Sequence, residues 1–133
     1  MRLSWNEIRA RAANFARDWA NAHYEKGETQ SFYNAFFDIF GVDRRRVAVY
    51  EQSVAKLSGA RGFIDLFWPG ELIVEQKSLG RDLLGARIQA LDYTHSLKDG
   101  EMPKRILVCD FRTWELNDLT TSEVVAFTLA DLP

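Results

Sequence analysis

The sequence predicts an α/β (α+β) domain: a mixed β-sheet flanked by helices, with an extra amphipathic helix at the N-terminus. Three observations lead there. After two helical segments, the order of periodic stretches reads three strands, a helix and a strand. Two apolar runs flank Pro69-Gly70, the pattern of strand, tight turn, strand. The stretch from Arg81 to Leu97 then has the length that a crossover helix needs. The chain should therefore return parallel at Ile106, in a sheet antiparallel at its hairpin.

Ser4 and Glu7 form a capping box that opens the first helix. Trp5, Ile8, Ala12, Phe15, Trp19 and Ala22 share one face, and Arg9, Arg11, Arg17 and Asp18 mark the polar one. This helix is expected to end near Lys26-Gly27, giving an N-terminal helix over 1–26 and a core over 27–133 of a single domain. A second helix runs from about Thr29 to Phe40, burying Phe32, Phe36, Ile39 and Phe40, with Gly41 as its C-cap. Arg44-Arg45-Arg46 leads into a strand from Val47 to Val54, and a loop around residues 58–62 precedes the hairpin. The third helix, Arg81 to Leu97, carries Leu84, Ile88, Leu91 and His95 on one stripe. A turn at Asp99–Pro103 leads to strands at Ile106–Cys109, Thr113–Leu119 and Val124–Leu129.

With 133 residues, 47% hydrophobic and 13% aromatic, the chain fits one folded domain. No apolar run is long enough to span a bilayer and no signal-peptide core is present, so no membrane partner is expected. The lone Cys109 excludes an intrachain disulfide and a multi-cysteine zinc site, and suits a reducing cytoplasm. The formal net charge is −2. A domain that holds duplex DNA unaided usually presents a basic surface, so most DNA affinity should come from elsewhere.

The chemistry concentrates in Phe63-Ile-Asp-Leu-Phe-Trp-Pro-Gly-Glu-Leu-Ile-Val-Glu-Gln-Lys77. Glu75 and Lys77 point the same way along a strand, Gln76 points opposite, and Asp65 lies across the hairpin. A carboxylate on a half-buried strand is costly unless paired or bound to metal. Asp65 and Glu75, with the backbone carbonyl of Gln76, therefore form a candidate Mg²⁺ site, and Lys77 would orient or deprotonate the attacking water. The plainer alternative is that Glu75 and Lys77 leave the strand for solvent. Gln89 and Tyr93, one helical turn apart, would touch DNA phosphate or brace the lysine, or else form a half-exposed flank. Glu28 is a candidate further carboxylate that would equally suit the helix dipole, and Glu51 is a weaker one. Arg44, Arg45, Arg46, Lys56 and Arg61 are candidate phosphate contacts, or a solvated edge. His23 and His95 fit helical patterns. Two histidines without paired cysteines support neither a His-Asn-His nuclease nor a zinc hydrolase.

Asp65, Glu75-Gln76-Lys77 and the helical Gln89-Ala-Leu-Asp-Tyr93 resemble the PD-(D/E)xK nuclease superfamily. The last of these is similar to the Q-x-x-x-Y element of RecB-like nucleases and type I restriction subunits. Ile64 stands where the motif's name has proline. Gly27–Phe37, Arg61–Gly70 and Val74–Ser78 resemble, more specifically, the N-terminal region of MmeI-like restriction–modification enzymes, over nearly the whole chain from Ser4 to Leu132. That resemblance implies a restriction-endonuclease-like core and a Mg²⁺-dependent (Mn²⁺-tolerant) DNA endonuclease leaving a 5′-phosphate. It also implies double-stranded DNA as substrate, and with a single active site per chain a second copy is expected for double-strand cleavage. In that family a helical connector, an S-adenosylmethionine-dependent adenine-N6 DNA methyltransferase and a target-recognition domain follow. The 133 residues contain no Asn-Pro-Pro-Tyr or Asp-Pro-Pro-Tyr motif and no Gly-rich cofactor loop. The expectation is therefore an isolated nuclease domain, with S-adenosylmethionine confined to an absent domain. The alternatives are a nuclease-like docking module that does not cut, or one component of a protein whose main activity is methylation.

Overall fold

A computed structural model describes residues 3–21, 25–55, 61–77, 83–95 and 97–132. Helices α1 (Trp5–Asp18) and α2 (Glu25–Ile39) are followed by a one-turn helix α3 (Arg44–Val47) and strands β1 (Val49–Ala55), β2 (Arg61–Trp68) and β3 (Leu72–Gln76). Helix α4 (Leu83–Thr94) then crosses to β4 (Arg105–Cys109), β5 (Thr113–Asp118) and β6 (Val124–Thr128). The six strands lie in the order β1-β2-β3-β4-β5-β6. The β3–β4 pair is parallel, in register Glu75↔Val108 and Gln76↔Cys109, while the other pairs are antiparallel. The mixed sheet expected from the hairpin and the crossover helix is the sheet observed.

Pro69 and Gly70 occupy the centre of a turn closed by the Glu71 N–H donating to the Trp68 carbonyl at 3.0 Å. Gly70 has φ +77°, the left-handed conformation that a proline-led turn of this kind asks of its third residue. The turn fixes the register Trp68↔Leu72, Phe67↔Ile73, Leu66↔Val74. Alternation then divides the side chains between two cores. Leu66, Leu72, Val74, Leu107 and Trp114 pack under α1 and α2, among Phe15, Phe32 and Phe37, whereas Phe67, Ile73, Ile106 and Val108 face Ala86, Ala90 and Tyr93 of α4. Aromatic rings weld the first layer, with Phe15–Phe32 centroids 5.0 Å apart, Phe36–Trp114 5.0 Å and Trp114 stacked on Phe127 at 5.8 Å.

Several expected boundaries and faces differ. The first helix ends at Asp18, not near Lys26-Gly27, and Lys26 and Gly27 lie inside α2. Glycine's helical penalty of about 1 kcal/mol is small beside the burial of Phe32, Tyr33, Phe37 and Ile39 that the longer α2 anchors. Trp5 is 74% exposed and Phe40 is also exposed, so the apolar stripes of both helices are shorter than their spacing implied. Gly41 does terminate α2, at φ +72°.

The first strand starts at Val49. Asp43 accepts from the Arg45 N–H at 3.1 Å and caps Arg44–Val47 as a helical turn instead. The α4 stripe is reversed: Leu84, Ile88 and Leu91 are exposed and so is His95, while Ala86, Ala90 and Tyr93 are buried. The small alanines let the helix backbone approach the sheet closely, and this outweighs the bulk of the leucine stripe. His23, Lys56 and the start of the expected third helix at Arg81-Asp82 lie outside the described residues, as does most of the loop before the hairpin. Among the described residues, no helix is long and apolar enough to cross a membrane.

Candidate active site

The candidate residues meet where β2 and β3 part. Continuing the hairpin register would put Asp65 opposite Glu75, but the ladder stops at Leu66↔Val74. The β1–β2 register likewise steps over Asp65, from Tyr50↔Leu66 to Gln52↔Ile64, and Glu51 at that level has φ +52°. Like charges directly opposite each other destabilise a sheet. Here side chains take over the strand tie: the Gln76 N–H donates to Asp65 Oδ2 at 2.8 Å, and the Asp65 N–H donates to Glu75 Oε1 at 3.4 Å. Both carboxyl groups are thereby fixed by the backbone of the opposite strand.

Glu75 is 1% exposed. Burial raises its carboxyl from the ordinary 4.5 to about 9, and the neighbouring Asp65 charge adds to the rise. A backbone hydrogen bond with Asp65 and the Lys77 ammonium oppose it only in part. A buried acid of this kind beside a second carboxylate is short of positive charge, which a divalent cation would supply. The Gln76 carbonyl is suitably aimed. The Lys77 N–H donates toward β4, to the Cys109 carbonyl at 2.8 Å. In a planar trans peptide the Gln76 C=O therefore points the other way, toward Asp65. Two carboxylates and one carbonyl oxygen make a hard oxygen donor set that fits Mg²⁺ or Mn²⁺.

Lys77 lies just past β3, with Nζ 3.4 Å from Gln89 Oε1. The Gln89 amide donates in turn to the Tyr93 hydroxyl at 2.7 Å. Gln89 and Tyr93 thus form a hydrogen-bonded chain from α4 to the lysine. Burial raises the Tyr93 phenol, opposed by its hydrogen bond to Gln89.

Other candidates lie elsewhere. Among the described residues, no three His, Cys, Asp or Glu side chains are grouped to hold a metal ion; Glu28 lies on α2 and Glu51 on β1. Arg44 donates to Asn34 Oδ1 at 2.9 Å and stacks over Tyr50 at 4.3 Å, while Arg45 and Arg46 pair with Asp43 at 3.5 and 3.8 Å. The backbone of Arg61 opens β2. An apolar cavity of about 440 Å³ lined by Phe36, Phe40, Trp68, Leu72, Trp114 and Phe127 shares no residue with the site.

Sequence reasoning missed Tyr33 and Cys109. Tyr33, fully buried on α2, donates its hydroxyl to Gln76 Oε1, and the Cys109 thiol lies in the same network. Burial pushes that thiol up to about 12. The signal available was the buried Gln76 itself, whose amide had to find partners behind the strand.

The family model described as MmeI, N-terminal domain, matches residues 10–133. The chain is also similar to one in a cryo-EM structure of a DrdV–DNA complex, at TM-score 0.56 and 15% sequence identity, a likeness of fold. That match covers 96% of this chain and 12% of the other, so the chain spans a small part of that protein's length. No curated protein matches the chain.

Proposed function

The chain belongs to the MmeI N-terminal domain family, and on that premise we propose that it is the Mg²⁺-dependent, DNA-cleaving domain of a restriction–modification polypeptide. The observation that carries the proposal is the Asp65–Glu75 pair at the fork of β2 and β3, its Glu75 buried, with Lys77 held beside it by Gln89. The presence of DNA beside the similar chain in the DrdV–DNA complex supports DNA as the substrate.

Asp65, Glu75 and the Gln76 carbonyl would hold the cation. When bound, a divalent ion there supplies Lewis acidity and a water acidic enough to act as nucleophile. Glu75, whose carboxyl burial raises to about 9, would hold the cation as a carboxylate and so release its proton to solvent on binding. Lys77 Nζ, fixed against Gln89 Oε1, orients the water and offsets charge building on the phosphate. Water replaces the 3′-oxygen at phosphorus, leaving a 5′-phosphate and a 3′-hydroxyl. The net charge of −2 gives the duplex little attraction to this domain alone. Target recognition and methylation belong, in this reading, to other domains of the polypeptide, and a second copy would cut the second strand.

The test places Asp65→Ala and Lys77→Ala in the polypeptide that naturally carries the chain, with Mg²⁺ and cognate DNA. Each substitution is expected to lower cleavage by about a hundredfold or more, with DNA binding retained. Undiminished cleavage by either variant would sink the proposal.

A further inference from the structure

We propose that Tyr33 and the Gln76 side chain form a positioning pair that fixes the Gln76–Lys77 peptide from behind β3, for use by the metal site in front. The inference rests on the metal-site reading above. Gln76 is the residue between the two functional side chains, and its own side chain faces away from them. On that face Leu72 and Val74 pack in the α1/α2 core, so an aliphatic residue would be the ordinary choice at position 76. Gln76 is instead 1% exposed and carries a primary amide. Burying an amide is unfavourable unless its groups are bonded.

Both ends are bonded. Tyr33, 0% exposed, donates to Oε1, and Nε2 donates to the Lys77 carbonyl at 3.0 Å. Two further bonds act on the same backbone: the Gln76 N–H to Asp65 Oδ2 at 2.8 Å and the Lys77 N–H to the Cys109 carbonyl at 2.8 Å. The segment needs such fixing, because the β2–β3 ladder has ended two residues earlier, at Leu66↔Val74. The Tyr33–Gln76 bond anchors the end of β3 to α2, a different layer of the fold. It thereby sets the direction of the Gln76 carbonyl and the starting point of the Lys77 side chain. The aromatic stretch of α2 that contains Tyr33 gains a role in the site beyond packing.

The experiment measures Mn²⁺ affinity of the 133-residue chain by calorimetry, with thermal melting of the metal-free protein alongside. The variants are Tyr33→Phe, Tyr33→Phe/Gln76→Leu and, as control, Glu75→Gln. Substitutions behind metal ligands typically weaken affinity by ten- to a hundredfold, so Tyr33→Phe should weaken Mn²⁺ binding by about tenfold. The double variant, with no amide left unbonded, should melt closer to the wild type yet bind Mn²⁺ as weakly as Tyr33→Phe. Affinity of Tyr33→Phe within twofold of the wild type would overturn the inference alone. So would affinity restored in the double variant, which would mark the pair as merely structural. If Tyr33→Phe does not fold, the double variant decides by the same criterion. Wild-type protein without any Glu75-dependent Mn²⁺ binding would overturn the metal-site reading and this inference with it.

Discussion

Replacing Glu75 by glutamine should stabilise the metal-free protein, although it removes a residue of the proposed active site. In the folded chain burial and Asp65 raise the Glu75 carboxyl to about 9, whereas the unfolded chain titrates at the ordinary 4.5. At pH 7 folding must therefore protonate the group across about 2.5 pH units, which at 1.4 kcal/mol each costs about 3 kcal/mol. Glutamine keeps the shape, offers a carbonyl to the Asp65 N–H and carries no such cost. The raised folded value sets the sign. The wild type is most stable relative to the variant below pH 4.5, and it loses ground steadily as pH rises toward 9.

Urea denaturation of both proteins between pH 4 and 9, in EDTA, tests this. The variant should lead by about 3 kcal/mol at pH 7, or about 10 °C in melting temperature for a domain of this size. The two should converge near pH 4.5. Saturating Mn²⁺ should then close the gap by stabilising only the wild type, by about 2.7 kcal/mol at a hundred times its dissociation constant. A variant less stable than the wild type at pH 7, or a gap that does not change with pH, would refute the reasoning.

Gly70→Ala should destabilise the chain by about 1–2 kcal/mol in the same assay, since φ is +77° and the added methyl would lie 3.2 Å from the Gly100 carbonyl. An unchanged urea midpoint would contradict the strained-turn account. The Cys109 thiol, raised to about 12 by burial, should be about one part in ten thousand thiolate at pH 8. Native protein should resist iodoacetamide and label rapidly only in denaturant, and native labelling at the denatured rate would refute this.

The candidate site was legible because it is local. Pro69-Gly70 fixes a hairpin, period-two alternation puts Glu75 and Lys77 on one side, and the register brings Asp65 level with Glu75. The crossover length of the third helix likewise dictated the parallel return at β4. Helix faces were less legible. Leu84, Ile88 and Leu91 fulfil the apolar periodicity of a buried stripe as well as Ala86, Ala90 and Tyr93 do, and hydrophobicity favours the wrong one. Close approach of α4 to the sheet selects the small side chains, and spacing along one helix carries no record of its partner's shape. The boundary between the first two helices differs for a similar reason, because Gly27, a stop signal by itself, lies inside α2, where tertiary packing overrides its helical penalty.

The sequence by itself determined the hairpin, the mixed sheet, the Asp65/Glu75/Lys77 constellation and the resemblance to its family, all through spacing between near neighbours. Only the tertiary structure decided that the β2–β3 ladder ends before Asp65 and the β1–β2 ladder steps over it, so that side chains tie the fork. It alone joined Tyr33 to Gln76 across 43 residues and set Gln89 against Lys77. It alone made Glu75 an acid of about 9. Burial and charge proximity are properties of the packed layers, and they decide how a carboxylate behaves after spacing has decided where it stands.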